Sequence, residues 1–189
     1  MKVTVTPETF TYVEFDPDLI RRVTEQISDS IGLDRAVRVE VDETTPLARI
    51  SVEVGDDEIV VRADSGAFED TRQPRHQSET ATATSLGRVL LRSADRLQGG
   101  FGEAPPDKEL TLSQLAAWET YCVGRLARLG VEVNKQRWKY NFRNRHAFSD
   151  ESDAAFDEIW SSDGLTWPQL TAISERAATS RQPASSVRA

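Results

Sequence analysis

Three closely spaced stretches of β type, between Val37 and Val61, do most to confine what this chain can fold into. Val37, Val39 and Val41 share one face of an extended chain, and Ala48, Ile50, Val52 and Val54 share another. Ile59, Val60 and Val61 form a third, unbroken apolar run. Gly55-Asp56-Asp57 reads as a hairpin turn between the last two, and Thr44-Thr45-Pro46 separates the first two in the same way. Such strands need a partner layer for their apolar face. The chain supplies a helix just upstream, where Asp16 is placed as N-cap and Pro17 at the first helical position. Leu19, Ile20, Val23, Ile27 and Ile31 recur at helical spacing before Gly32 stops the run. Val3 and Val5 predict a further strand at the N-terminus, and Phe10 to Phe15 extends the β-like pattern past Pro7.

Beyond the strands the pattern turns helical. Residues 64–84 are polar and predict a long exposed loop. A helix follows from about Ala81 or Ser85 to Leu97, carrying Leu86, Val89, Leu90 and Leu97 inward, and Gly99-Gly100 ends it. Gly99 to Gly102 then reads as a mobile loop rather than a phosphate cradle, because it follows a helix and no Gly-Lys-Ser/Thr comes after it. Thr111-Leu112-Ser113-Gln114 matches a capping box. It opens a helix whose stripe is Leu112, Leu115, Trp118, Cys122, Leu126 and Leu129, capped by Gly130. Two last helices are expected, one bearing Phe156, Ile159 and Trp160, the other starting at Thr166 and running to about Ala177. They resemble a helix-turn-helix in outline, but the second lacks early cations and an ordinary helical hairpin is the better expectation. The expected fold class is therefore α+β, a mainly antiparallel sheet of four to five strands packed by an early helix and several later ones. The expected organisation is an α+β core over 1–148, a C-terminal helical pair over 149–179 and a disordered tail over 180–189.

Charge is unevenly spread. Residues 1–70 hold 17 acidic against 7 basic groups, whereas residues 135–148 hold five cations and no carboxylate, in a chain of formal net charge -8. The first region repels polyanions and the second attracts them, unless the two neutralise one another or other parts of the fold. No apolar run approaches a membrane span, and the N-terminus alternates instead of forming a signal core, so no membrane is expected. Cys122 is the single cysteine, which excludes an internal disulfide and points to the cytoplasm.

The basic segment interleaves its charges with aromatics, from Lys135 to Phe148. As a strand it would place Trp138, Tyr140 and Phe142 on one face and Arg137, Lys139, Asn141 and Arg143 on the other. Exposed, the aromatic face could stack bases while the cations engage phosphates; buried, it is core and only the cations remain available. A helix is the alternative, pairing Trp138 with Phe142 one turn apart and setting Arg145 a further turn on. The strand is preferred for its Asn and aromatic content. The candidate binding residues are Lys135, Arg137, Trp138, Lys139, Tyr140, Arg143, Arg145 and His146.

Motifs that would fix a reaction do not occur. There are two histidines, His76 and His146, no HExxH, no cysteine pair and no calcium loop, so neither a catalytic residue nor a metal ligand is assigned and no cofactor is expected. The helix after the third strand reads Thr82-Ala83-Thr84-Ser85-Leu86-Gly87-Arg88, without the ligand histidine of a zincin-like protease. His146 beside Arg143 and Arg145 has the residue types for phosphodiester hydrolysis, given a partner such as Glu132 or His76. The sequence expectation is a non-enzymatic interaction protein that presents its basic-aromatic segment to an anionic or protein partner. A nucleic-acid binder using the same segment is the alternative, and a small phosphodiesterase the third reading. No heptad repeat specifies an oligomeric state.

Overall fold

The computed structural model describes residues 2–179; the expected tail at 180–189 lies outside the described residues. Two compact units result, one from residues 1–98 with 126–133, the other from residues 99–125 with the chain from 134 on.

The first unit is built on a four-stranded sheet of β1 (Val3–Thr6), β2 (Ala36–Asp42), β3 (Ile50–Val54) and β4 (Glu58–Asp64), in the order β1-β2-β4-β3. β1 and β2 are parallel, β2 and β4 are parallel, and only β3 runs antiparallel, against β4. The sheet is thus mixed, which corrects the mainly antiparallel arrangement expected from sequence. Helix α1 (Pro17–Ser30) is the reason for the first parallel pair, since a strand–helix–strand crossover returns the chain in the same direction. The second has its cause in β4. Its run of Ile59, Val60 and Val61 is buried, as suits a central strand, so β4 inserts between β2 and β3. The Thr44-Thr45-Pro46 segment therefore crosses over β4 and is no hairpin. The Gly55 turn is one, closed by Gly55 N–H donating to the Glu58 carbonyl at 2.9 Å.

Register aligns Val3, Val37, Ile59 and Val54 in one row across the sheet and Val5, Val39, Val61 and Val52 in the next. These rows meet α1 and α2 (Glu79–Leu97) in one core with Ile20, Val23, Phe68, Leu86 and Leu90. Each fully buried Val, Ile or Leu there contributes about 1.5–3 kcal/mol. The opposite sheet face is a ladder of ion pairs. Arg38 pairs with Glu40 and, at 3.1 Å, with Glu58, while Arg62 reaches Glu40 and Glu53, each at 3.0 Å. The ladder sets two arginines against three carboxylates, so it pairs only part of the N-terminal acidity.

The expected loop over 64–84 is largely ordered. A 3-10 turn at Ser65–Ala67 and a small hairpin of β5 (Glu69–Asp70) and β6 (Gln73–Gln77) precede α2, which Ser78 caps by accepting from Ala81 N–H at 3.1 Å. Phe68 anchors this stretch, fully buried with its ring 6.4 Å from that of Phe15. Polar strands of two and five residues carry too little apolar alternation to be read from sequence.

The second unit is helical. It holds α3 (Leu112–Arg128) up to Arg125, α4 (Lys135–Arg145), α5 (Asp150–Ser161) and α6 (Trp167–Thr179). The capping box forms as read: Thr111 N–H donates to Gln114 Oε1 at 3.0 Å, and Gln114 N–H to Thr111 Oγ1 at 3.2 Å. Phe101 is buried against Trp118, Tyr121 and Trp167, at 4.8, 6.0 and 6.1 Å between ring centroids. The Gly99–Gly102 segment is therefore pinned by its phenylalanine. Gly124 lets α3 approach the backbone of Trp160 so closely that a Cβ there would collide with its carbonyl.

Candidate functional site

The basic-aromatic segment is α4, a helix and not the strand preferred from sequence. Asn134 caps it, accepting from Arg137 N–H at 3.0 Å, and no β-branched residue occurs from Lys135 to His146 to favour a strand. Helical geometry then sorts the segment into three faces.

One face carries Lys135, Lys139 and Arg143, each four residues after the last, against Asp153 and Asp157 of α5. Lys135 Nζ lies 2.8 Å from Asp157 Oδ1, and Lys139 Nζ lies 3.1 Å from Asp157 Oδ2 and 3.4 Å from Asp153 Oδ2. Arg143 Nε donates to Asp153 Oδ1 at 2.6 Å, and Nη2 donates to Oδ2. The Arg143 bond is the chief cause that holds Asp153 below the usual aspartate range, and the same bond raises Arg143. Burial raises Asp157, but hydrogen bonds from Lys135 and Lys139 outweigh it and leave Asp157 lowered. Beneath the ladder, Phe142 is buried edge-on against Phe156 at 5.7 Å.

The second face looks to α3 across an open groove of about 290 Å³. Leu112, Leu115, Ala116, Trp138 and Phe142 form its apolar lining, and Glu119, Thr120, Asn141, Asn144 and Arg145 supply its polar groups. Leu112 is 60% exposed, although its spacing had placed it on a buried stripe. The third face points to solvent and holds Arg137 and Tyr140; Tyr140 and Phe148 are both exposed and meet edge to face at 5.9 Å. Among the described residues, neither Arg137 nor Arg145 forms an ion pair.

His146 is fully buried, its ring stacked 3.8 Å from that of Phe142. Nδ1 sits 3.0 Å from the Phe142 carbonyl, which can only accept, so Nδ1 carries the proton. Nε2 sits 2.8 Å from Ser174 Oγ and, in the neutral ring, accepts from its hydroxyl. This is a core histidine tying α4 to α6, with no surface to offer a phosphodiester. His76, in the first unit, is half-exposed with Nδ1 3.1 Å from Glu14 Oε2. Cys122 is buried. Among the described residues, no group of three His, Cys, Asp or Glu side chains is placed to hold a metal ion, and no helix is long and apolar enough to cross a membrane.

Of the eight residues singled out by sequence, the structure thus brings Trp138 and Arg145 to one groove and commits Lys135, Lys139 and Arg143 to α5. It leaves Arg137 and Tyr140 in solvent and buries His146. Sequence reasoning missed the groove's other wall, Leu112 and Leu115, and the acidic partners Asp153 and Asp157. The ladder had a signal in the shared four-residue spacing of Lys135, Lys139 and Arg143 and of Asp153 and Asp157. No family model, curated protein or solved structure matches this chain.

Proposed function

We propose that the protein acts by binding, in the cytoplasm, and that the groove between α3 and α4 receives a partner protein. The observation that carries this reading is the division of labour on α4. Three of its cations are engaged by two aspartates of the same unit, whereas Trp138, Leu112 and Arg145 remain at an open cleft. An engaged cation contributes little to a polyanion's counterion release, so the ladder speaks against nucleic acid as the main partner. A half-buried tryptophan beside an exposed arginine is the combination of residue types that anchors protein interfaces.

Incorporation of a photo-crosslinking amino acid at Leu112, in cells, tests this. A discrete protein adduct is expected that disappears with Trp138→Ala or Arg145→Glu and does not form from the exposed Arg72 position. Adducts of equal yield from both positions would reject the groove as the site. Binding of single-stranded nucleic acid that survives Trp138→Ala but falls steeply with salt would favour a nucleic-acid binder instead.

A further inference from the structure

We infer that the α3–α4 groove recognises the C-terminal end of a peptide, taking a large apolar last residue between Leu112, Leu115 and Trp138 and its carboxylate on Arg145. The inference rests on the groove being the binding site proposed above and specifies what enters it. Three observations lead there. The groove, at about 290 Å³, lies just below the ~300–1,000 Å³ span of small-molecule sites, which suits one large side chain better than a nucleotide. Its apolar lining is concentrated at Leu112, Leu115, Trp138 and Phe142, which selects an aliphatic or aromatic group. Its polar side presents one guanidinium, Arg145, that pairs with no carboxylate among the described residues, flanked by the amides of Asn141 and Asn144.

A chain terminus answers all three at once. Its side chain and its carboxylate spring from a single Cα, so one small cleft with one adjacent cation can hold both. An internal acidic residue would need a second side chain for the apolar lining. The bond from Arg145 to the terminal carboxylate would be charge-assisted and suited to two-point geometry.

The test is a titration of the full chain with two hexapeptides, identical in sequence and ending in leucine, one a free acid and the other an amide. Nitrogen–proton NMR reads the indole of Trp138 and the backbone amides of Asn141, Asn144 and Arg145. The free acid is expected to shift these signals and to bind at least about tenfold more tightly than the amide, as loss of a charge-assisted hydrogen bond implies. Arg145→Gln, a change at an exposed position, should erase that difference while the peptides still shift Trp138. Equal binding of acid and amide would overturn carboxylate recognition and leave the groove as a binding site. Absence of any shift at the groove with either peptide would overturn both.

Discussion

Arg143 and Asp153 face each other from α4 and α5 in a two-point ion pair, Nε donating to Oδ1 at 2.6 Å and the guanidinium terminus to Oδ2. The pair fixes the geometry of a charge more than it neutralises one, because Lys139 reaches the same carboxylate from one turn earlier. What looks in sequence like a free basic patch is half of an internal ladder.

Removing the acidic half should therefore expose the patch. Asp153→Asn with Asp157→Asn frees Lys135, Lys139 and Arg143 for outside anions. Single-stranded oligonucleotide binding at low salt should rise in the double variant and fall again with added salt. The pair is partly exposed, so the urea midpoint should drop by the equivalent of only about 1 kcal/mol. Unchanged oligonucleotide binding would mean that these cations are unavailable for a reason other than the ladder.

Acid should act on the same carboxylates. Asp153 and Asp157 titrate below the ordinary aspartate value of about 3.9, so their stabilisation is fully present above that pH and is lost as pH falls through their depressed values. Asp42 behaves alike in the first unit, lowered to about 2 chiefly by the hydroxyls of Thr44 and Thr45. Carboxyl carbon NMR should show all three titrating late, and Thr44→Val should return Asp42 toward the ordinary range.

The His146–Ser174 bond gives a stability prediction. Ser174→Ala removes the hydroxyl bonded to Nε2 of a buried imidazole and should cost about 1–3 kcal/mol in urea unfolding. Ser161→Ala, which removes an exposed hydroxyl bonded to the Asp157 carbonyl, should stay within about 0.5 kcal/mol. Equal effects would deny the histidine its tie between α4 and α6.

Gly124 should tolerate nothing larger. Gly124→Ala drives a methyl group into the Trp160 backbone, which cannot swing away as a side chain can. The helix propensity gain of about 1 kcal/mol should be overwhelmed, with a net loss of about 2 kcal/mol or more by thermal or urea unfolding. Gly130→Ala is the control for position: nothing crowds it, but its φ of +88° still disfavours a side chain.

Local signals in the sequence were strong where chemistry alone decides. The Asp16-Pro17 helix start, the capping box at Thr111 and the Gly55 turn all form as read, since each is settled within four residues of chain. Pairing was harder. Strand neighbours depend on burial across the whole sheet, and the unbroken Ile59-Val60-Val61 run marked β4 as central only once β1–α1–β2 was read as a crossover. At the site, alternation of aromatics with cations suggested a strand, but their spacing also fits a helix, which the Asn134 cap starts and the aspartates of α5 hold. The groove needed two helices brought together, which no single stretch of sequence displays.

The last turn of α3 counts with the first unit, where the Leu126 side chain fills the notch left by Gly87 on α2. That unit is consequently assembled from two separated lengths of chain. A fragment ending at Gln98 would bring the notch without its plug, and supplying residues 126–133 in trans would be the way to make the unit whole.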